Sequence, residues 1–206
     1  MYNNIYILLH NIEAGDFMKK GLLIVMSGPS GVGKGSLREK IITDPTLNMS
    51  YSISMTTRAP RGAEKDGVDY FFVDQTTFEQ YIQDGKLLEY AKFVDNYYGT
   101  PRQYVEDLLA QGKNVFIEIE VDGARQLMEK MRSNRAFSLF ILPPSIEELE
   151  ARIRGRKTES EEKIQQRLAR AKMELSRQYE YDYRIVNDDL DRAANEIKQI
   201  ILKRMK

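Results

Sequence analysis

The chain has 206 residues, 31 basic and 31 acidic side chains, a formal net charge of zero, one histidine and no cysteine. That length suits one well-buried domain rather than two, and the charge balance excludes a general nucleic-acid coat, which carries a basic excess. The lack of cysteine excludes disulfides and thiolate metal sites, so a reducing, cytoplasmic location is expected; with His10 the sole imidazole, histidine general-base chemistry is excluded from the body of the chain.

Residues 1–17 differ from the rest. Ile5–Leu9 is apolar, but it is far shorter than a membrane span, has no basic segment before it, and is followed by Glu13 and Asp16. No signal peptide or membrane segment is expected, and 1–17 is taken as a dispensable extension before a natural start at Met18-Lys19-Lys20.

The first strand is predicted at Leu22–Met26 and a helix at Leu37–Ile42, with Gly28-Pro29-Ser30-Gly31-Val32-Gly33-Lys34-Gly35-Ser36 between them. Gly28, Gly33 and Lys34 satisfy G-x-x-x-x-G-K after a strand and before a helix, the pattern of a phosphate-binding loop. Glycines let successive N–H groups turn toward an anion, the lysine reaches the β- and γ-phosphates, and the helix N-terminus adds its dipole. Gly35 stands where a magnesium-binding Ser or Thr is usual, which leaves Ser36 as the nearest hydroxyl.

Between Ser50 and Gly99 the texture turns to Ser, Thr, Tyr and Phe, with strands predicted at Tyr51–Met55 and Tyr70–Val73 and a helix at Thr76–Gln83. This reads as an insertion with its own small sheet. Arg58 and Arg61 flank Ala59-Pro60, and the proline stiffens the loop. The pair either clamps one phosphate or is simply solvated.

Further strands are predicted at Val115–Val121, Phe137–Leu142 and Arg184–Val186, which with the intervening helices implies a parallel sheet. Glu118 and Glu120 then share one face of their strand. Two carboxylates in an apolar strand need a cation or a ligand, so they either serve magnesium and a ribose or base, or sit at an edge or in ion pairs. The polar stretch from Pro143 to about Arg177 is broken at Gly155, and Thr158 with Glu161 forms a capping box for a second helix. Arg152 and Arg156 fall on one helical face and Arg167 on the next helix. Such a cluster is either a solvated surface or a grip on a transferring phosphoryl group.

Taken together, GPSGVGKGS, SISMTTRAPRGAEKDGVDYFF, LLEYAKFVDNYYGTP, FIEIEVDGA, RIRGRKTESEEKIQQRLARA and YDYRIVNDD resemble the guanylate kinases from about Gly21 onward. The resemblance implies an α/β fold: a P-loop parallel sheet flanked by helices, with a small mixed α/β GMP-binding insertion and a helical lid. It divides one domain, 18–206, into a core of 18–52, 104–143 and 173–206, an insertion of 53–103 and a lid of 144–172. It further implies ATP-dependent phosphorylation of GMP, and of dGMP, with Mg2+ and without a nucleic-acid or membrane partner.

Carried over residue by residue, Gly28 through Ser36 and Asn187 belong to ATP, with Ser36 at magnesium. Arg58, Arg61, Tyr70 and Tyr98 match ligands of the GMP phosphate and Glu64 their support; Ser54, Glu89 and Thr100 match the guanine-recognition positions. Glu118 and Glu120 match acids near GMP and magnesium; Lys34, Arg58, Arg152, Arg156 and Arg167 are the catalytic set. Asp122, where glutamine is common, and Lys157, where glycine is common, depart from the family pattern.

Overall fold

The computed structural model describes residues 20–155 and 160–206; the expected extension 1–17, the start at Met18 and the positions Arg156, Lys157 and Thr158 lie outside the described residues. In chain order the elements are β1 (Leu23–Ser27), α1 (Lys34–Ile42), β2 (Met49–Tyr51), β3 (Met55–Thr56), β4 (Phe71–Phe72), α2 (Gln75–Gln83), β5 (Leu87–Phe93), β6 (Asn96–Pro101) and α3 (Arg102–Ala110). There follow β7 (Asn114–Glu118), α4 (Val121–Met131), β8 (Ala136–Leu142), α5 (Ile146–Arg154), α6 (Glu161–Ser176), β9 (Tyr183–Val186) and α7 (Leu190–Met205).

The larger sheet runs β2-β7-β1-β8-β9 and is parallel throughout. Every residue of β1 is buried, as a central strand covered on both faces requires. Its side chains alternate between two cores. Ile24 and Met26 join Leu37, Leu149, Leu168 and Ile197 on one face, while Leu23 and Val25 join Val105, Val121 and Leu127 on the other. Asn114, buried at the start of β7, ties the sheet together: its Oδ1 accepts from the Leu22 N–H at 2.8 Å and its Nδ2 donates to the Leu47 carbonyl at 2.7 Å.

The smaller sheet, β4-β3-β6-β5, is mixed: β3 pairs parallel with β4 and antiparallel with β6, and β6 pairs antiparallel with β5. Met55, Phe78 and Leu87 form its own core, and Phe78 stacks on Tyr97 with ring centres 5.2 Å apart.

Several expectations need correction. The strand predicted at Tyr51–Met55 is two strand ends: β2 finishes in the large sheet at Tyr51 and β3 begins in the small one at Met55, so the chain changes sheets within it. The strand predicted through Val121 stops at Glu118, because Glu120, extended at φ −71°, is the N-cap of α4. Glu118 and Glu120 therefore do not share a strand face. α5 ends at Arg154 with Gly155 as its C-cap; Arg156, expected on the same face as Arg152, lies outside the described residues. The next helix begins at Glu161 and is capped by Ser160, which accepts from the Lys163 N–H; Thr158, the other partner of the expected capping box, lies outside the described residues. A hydroxyl adjoining the first helical turn reaches that orphan N–H directly. The β5–β6 hairpin, closed by Val94 and Asp95, was not predicted at all.

Candidate active site

The phosphate loop leaves the carboxyl end of β1, where open α/β sheets bind ligands. Gly28 and Gly33 both adopt positive φ, 151° and 95°, a region that L side chains rarely enter. A Cβ on Gly28 would stand 2.6 Å from the Ile141 carbonyl, and one on Gly33 would stand 2.5 Å from Asn187 Nδ2. Because Gly33 caps α1 without any side chain, the first-turn N–H groups of that helix are left for an anion.

Lys34 folds back over the loop, its Nζ donating to the carbonyls of Gly28 at 2.6 Å and Pro29 at 3.2 Å. Burial lowers its pKa, opposed by the charges of Glu118, Glu174 and Glu120. Asn187 is buried; its amide donates to the Val32 carbonyl at 2.8 Å, and its own backbone carbonyl accepts both terminal guanidinium nitrogens of Arg152 at 3.2 Å. Asn187 thus joins the loop to α5. From α6, Arg167 donates to the Ser30 hydroxyl at 2.7 Å. Loop, β7 end, α6 and hairpin tip enclose a cleft of about 940 Å³ that includes Lys34, Glu118, Glu120, Arg167 and Phe93.

The two acids have different surroundings. Glu118, at the end of β7, receives Arg38 at 3.3 Å, and Arg38 also lies over the Tyr51 ring, 5.1 Å from its centre. Glu120 is more exposed and is paired with Arg170, whose Nε donates to Glu174 Oε1 at 3.0 Å. Glu174 is buried, which raises its pKa ahead of the opposing effect of Arg170.

In the insertion, Arg58 is only 9% exposed, which decides against its being a solvated loop residue. It donates to both Glu64 oxygens at 2.9 Å and lies 5.3 Å from the Tyr70 ring centre, and Tyr98 meets Tyr70 edge-on at 6.3 Å. Glu64 also accepts the Arg61 N–H at 2.7 Å, and the Arg58 pairing, then that N–H, lower its pKa. The Arg61 side chain is exposed. Arg58, Tyr70 and Tyr98 therefore converge, with Glu64 behind them.

Glu89 is 6% exposed, and its Oε1 accepts the Thr100 hydroxyl at 2.6 Å. Burial raises its pKa, opposed by Thr100 and Lys130. The other oxygen faces Gly123 of α4, where a Cβ would come within 2.9 Å. Ser54 is half-buried just ahead of Met55, which pairs with Gly99; Tyr90 pairs with the same glycine, so Ser54, Thr100 and Glu89 lie at one level of three adjacent strands.

Sequence reasoning missed Arg38, Arg170 and Glu174. Helical spacing could have found them: Arg38 follows Lys34 by four positions, Arg170 follows Arg167 by three, and Glu174 follows Arg170 by four. Asp122, one of the departures, pairs with Arg177 at 2.6 Å away from these contacts.

A family model described as guanylate kinase matches residues 20–204. The guanylate kinase of Listeria innocua is 52% identical over 183 residues, covering 89% of this chain and 88% of that protein, and that of Listeria monocytogenes matches equally. The crystal structure of guanylate kinase from Anaplasma phagocytophilum superposes with a TM-score of 0.67 at 37% identity, covering 91% of this chain and 88% of the other. An intact phosphate loop, a mixed insertion beside it and these matches across nearly the whole described chain make it a member of the guanylate kinase family, kinases that phosphorylate GMP to GDP.

Proposed function

We propose that the enzyme transfers the γ-phosphoryl group of ATP to GMP, and also to dGMP, in the cytoplasm, with acceptor recognition in the insertion and phosphoryl transfer in the cleft over the phosphate loop. The observation that carries the acceptor assignment is Glu89, a buried carboxylate with one oxygen held by Thr100 and the other facing Gly123. Guanine offers N1–H and a 2-amino group side by side, a donor pair that one carboxylate accepts. Adenine lacks that pair and would leave a buried acid unpartnered, which a polar site rejects by a factor on the order of 10⁴. Ser54 completes the base site; Arg58, Arg61, Tyr70 and Tyr98 take the acceptor phosphate, with Glu64 fixing the Arg58 fork. These groups meet base and phosphate, which is why the deoxynucleotide is expected to serve as well. Glu118 and Glu120 stand between the two nucleotides.

On the donor side, Gly28 through Ser36 wrap the polyphosphate, with Asn187 bracing the loop near the adenine. A GMP phosphate oxygen attacks the γ-phosphorus in line; the new O–P bond forms as the bond to the β–γ bridging oxygen breaks, and ADP leaves with that electron pair. No side-chain nucleophile is required. Lys34, Arg152, Arg156 and Arg167 stabilise the charge on the transferring group, and the lid excludes water that would otherwise hydrolyse ATP.

Mg2+ prefers hard oxygen donors, keeps several waters and is held through one or two protein groups plus phosphates. The residues present fit that need: Ser36 is exposed in the first turn of α1, two positions after Lys34, Glu118 lines the cleft beside Lys34, and no dedicated cluster of three acids occurs among the described residues. When bound, the ion supplies charge neutralisation at the β- and γ-phosphates.

The test is ADP formation from Mg-ATP with GMP, dGMP, AMP, CMP and UMP in turn. Strong turnover with GMP and dGMP and little with AMP is expected; equal turnover with AMP would overturn the base assignment.

A further inference from the structure

One face of α6 carries the lid side of the cleft, and its two arginines reach in different directions. Arg167 reaches the phosphate loop at Ser30. Arg170, one turn later, reaches across to Glu120 at the start of α4, fifty positions earlier in the chain. It is also held from behind: its Nε donates to Glu174 Oε1 at 3.0 Å.

This differs from the surface ion pairs of the molecule. Glu174 is 8% exposed, and its second oxygen has no hydrogen-bond partner. Burying a carboxylate is expensive unless it is paired and hydrogen-bonded, and here the contact with Arg170 offsets that cost. What it enforces here is the aim of the Arg170 fork. With Nε fixed on Glu174, the terminal nitrogen points to Glu120.

Glu120 has little else to hold it. It occupies the N-cap of α4 but makes no capping hydrogen bond, and its side chain is 65% exposed. Three residues on, Gly123 forms the wall against Glu89. The position of the Glu120 carboxylate beside the base site is therefore set by a residue from the lid helix.

We infer that Arg170, braced by Glu174, is a positioning residue for Glu120, and that through this contact the helix gripping the donor phosphates also orders the acceptor site. The inference rests on the assignment of Glu120 to the GMP site. Loss of Arg170 then affects the acceptor and spares the donor, although the residue sits on the lid.

The experiment measures kcat and the KM of each nucleotide at saturating partner for wild type, Arg170→Met, Arg170→Lys, Glu120→Gln, Glu174→Gln and the Arg170→Met/Glu120→Gln double variant, with a thermal melt for each. Arg170→Met is expected to raise KM for GMP about fivefold, the order of effect of releasing one restrained carboxylate, with KM for ATP within about twofold of wild type. Arg170→Lys keeps the charge but cannot bridge both acids, so it recovers part of the loss and supplies the test if the methionine variant folds poorly. Glu174→Gln moves KM for GMP in the same direction. The double variant is no worse than Glu120→Gln alone, since Arg170 acts through that residue. If Glu120→Gln raises KM for GMP and Arg170→Met does not, the positioning role is refuted and the acceptor assignment stands. If Glu120→Gln has no effect, both fall. If Arg170→Met lowers the melting temperature and raises both KM values alike, Arg170 is only a fastening of the lid.

Discussion

Gly123→Ala offers a sharp separation of recognition from stability. The new methyl group would stand 2.9 Å from Glu89 Oε2 and 3.4 Å from its Cδ, roughly half an ångström inside ordinary contact at the oxygen. Glu89 cannot simply rotate away, because it is buried and its other oxygen is held by Thr100 at 2.6 Å. The carboxylate must retreat, and the oxygen that retreats is the one facing α4. A hydrogen bond to a charged group is worth about 1.5–3 kcal/mol, and a decade in affinity is about 1.4 kcal/mol, so the loss of one of two guanine contacts should raise KM for GMP by about 10- to 100-fold. The fold should tolerate the change. Gly123 lies inside α4, where alanine is favoured over glycine by about 1 kcal/mol, offsetting the contact strain. Steady-state kinetics at saturating ATP, with a thermal melt alongside, give the answer. An increase in KM for GMP with KM for ATP and the melting temperature nearly unchanged is expected; a GMP KM within about twofold of wild type would refute the placement of guanine against Glu89.

Glu89→Gln should erode the preference for GMP over AMP, since an amide offers guanine only one acceptor; unchanged discrimination would contradict the assignment. The same variant carries a pH signature. Burial raises the pKa of Glu89, so the unfolded chain loses this proton first as pH rises above the ordinary glutamate value, and the wild type loses stability until the higher folded pKa is passed. The melting temperature of Glu89→Gln relative to wild type should therefore climb as pH rises from the ordinary glutamate value toward neutrality, and a flat difference would count against the burial effect. Lys34→Met should lower kcat by at least about 10²-fold, the scale of losing a main electrostatic stabiliser, without altering the melt; activity within a few-fold of wild type would remove the loop from the reaction. Glu64→Gln leaves the Arg58 fork without its matching carboxylate and should raise KM for GMP roughly tenfold, checked in the same assay.

The parts of this fold that were legible in the sequence are those governed by local rules. β1 is a run of buried apolar residues ahead of a glycine loop, and both features are written in adjacent residues. The residues proposed for the acceptor came only through the motifs: Arg58 and Glu64 are close enough along the chain to suggest a pair, but nothing local brings Glu89 to Thr100. That contact is made by the hairpin, and the hairpin escaped prediction because its turn, Val94-Asp95, lacks glycine and places a β-branched residue at φ 55°. Glu118 and Glu120 were misplaced on one strand face because alternation was continued past the point where a helix cap takes over. Arg170 and Glu174 were passed over because charged residues at helical spacing are usually solvated, and only the packing of α6 over the cleft distinguishes them.

The acids in this cleft follow from its cations. Lys34, Arg38, Arg167 and Arg170 reach into or beside the site proposed to bind polyphosphate, and without counterions they would repel one another and resist desolvation. Glu118 answers Arg38 and Glu120 answers Arg170, while Lys34 lies within the fields of Glu118, Glu174 and Glu120. Most of the positive charge around the site is thus answered by acids, with the cations remaining in excess. Under the proposed function, a nucleotide entering it meets cations already answered by carboxylates rather than bare positive charge, with Arg170 keeping Glu120 as its partner. Under that reading ground-state binding is tempered by those carboxylates, while the charge that develops on the transferring phosphoryl group is met by Lys34 and the lid arginines. Interactions that strengthen toward the transition state, and not those that merely tighten the substrate, are the ones that raise turnover.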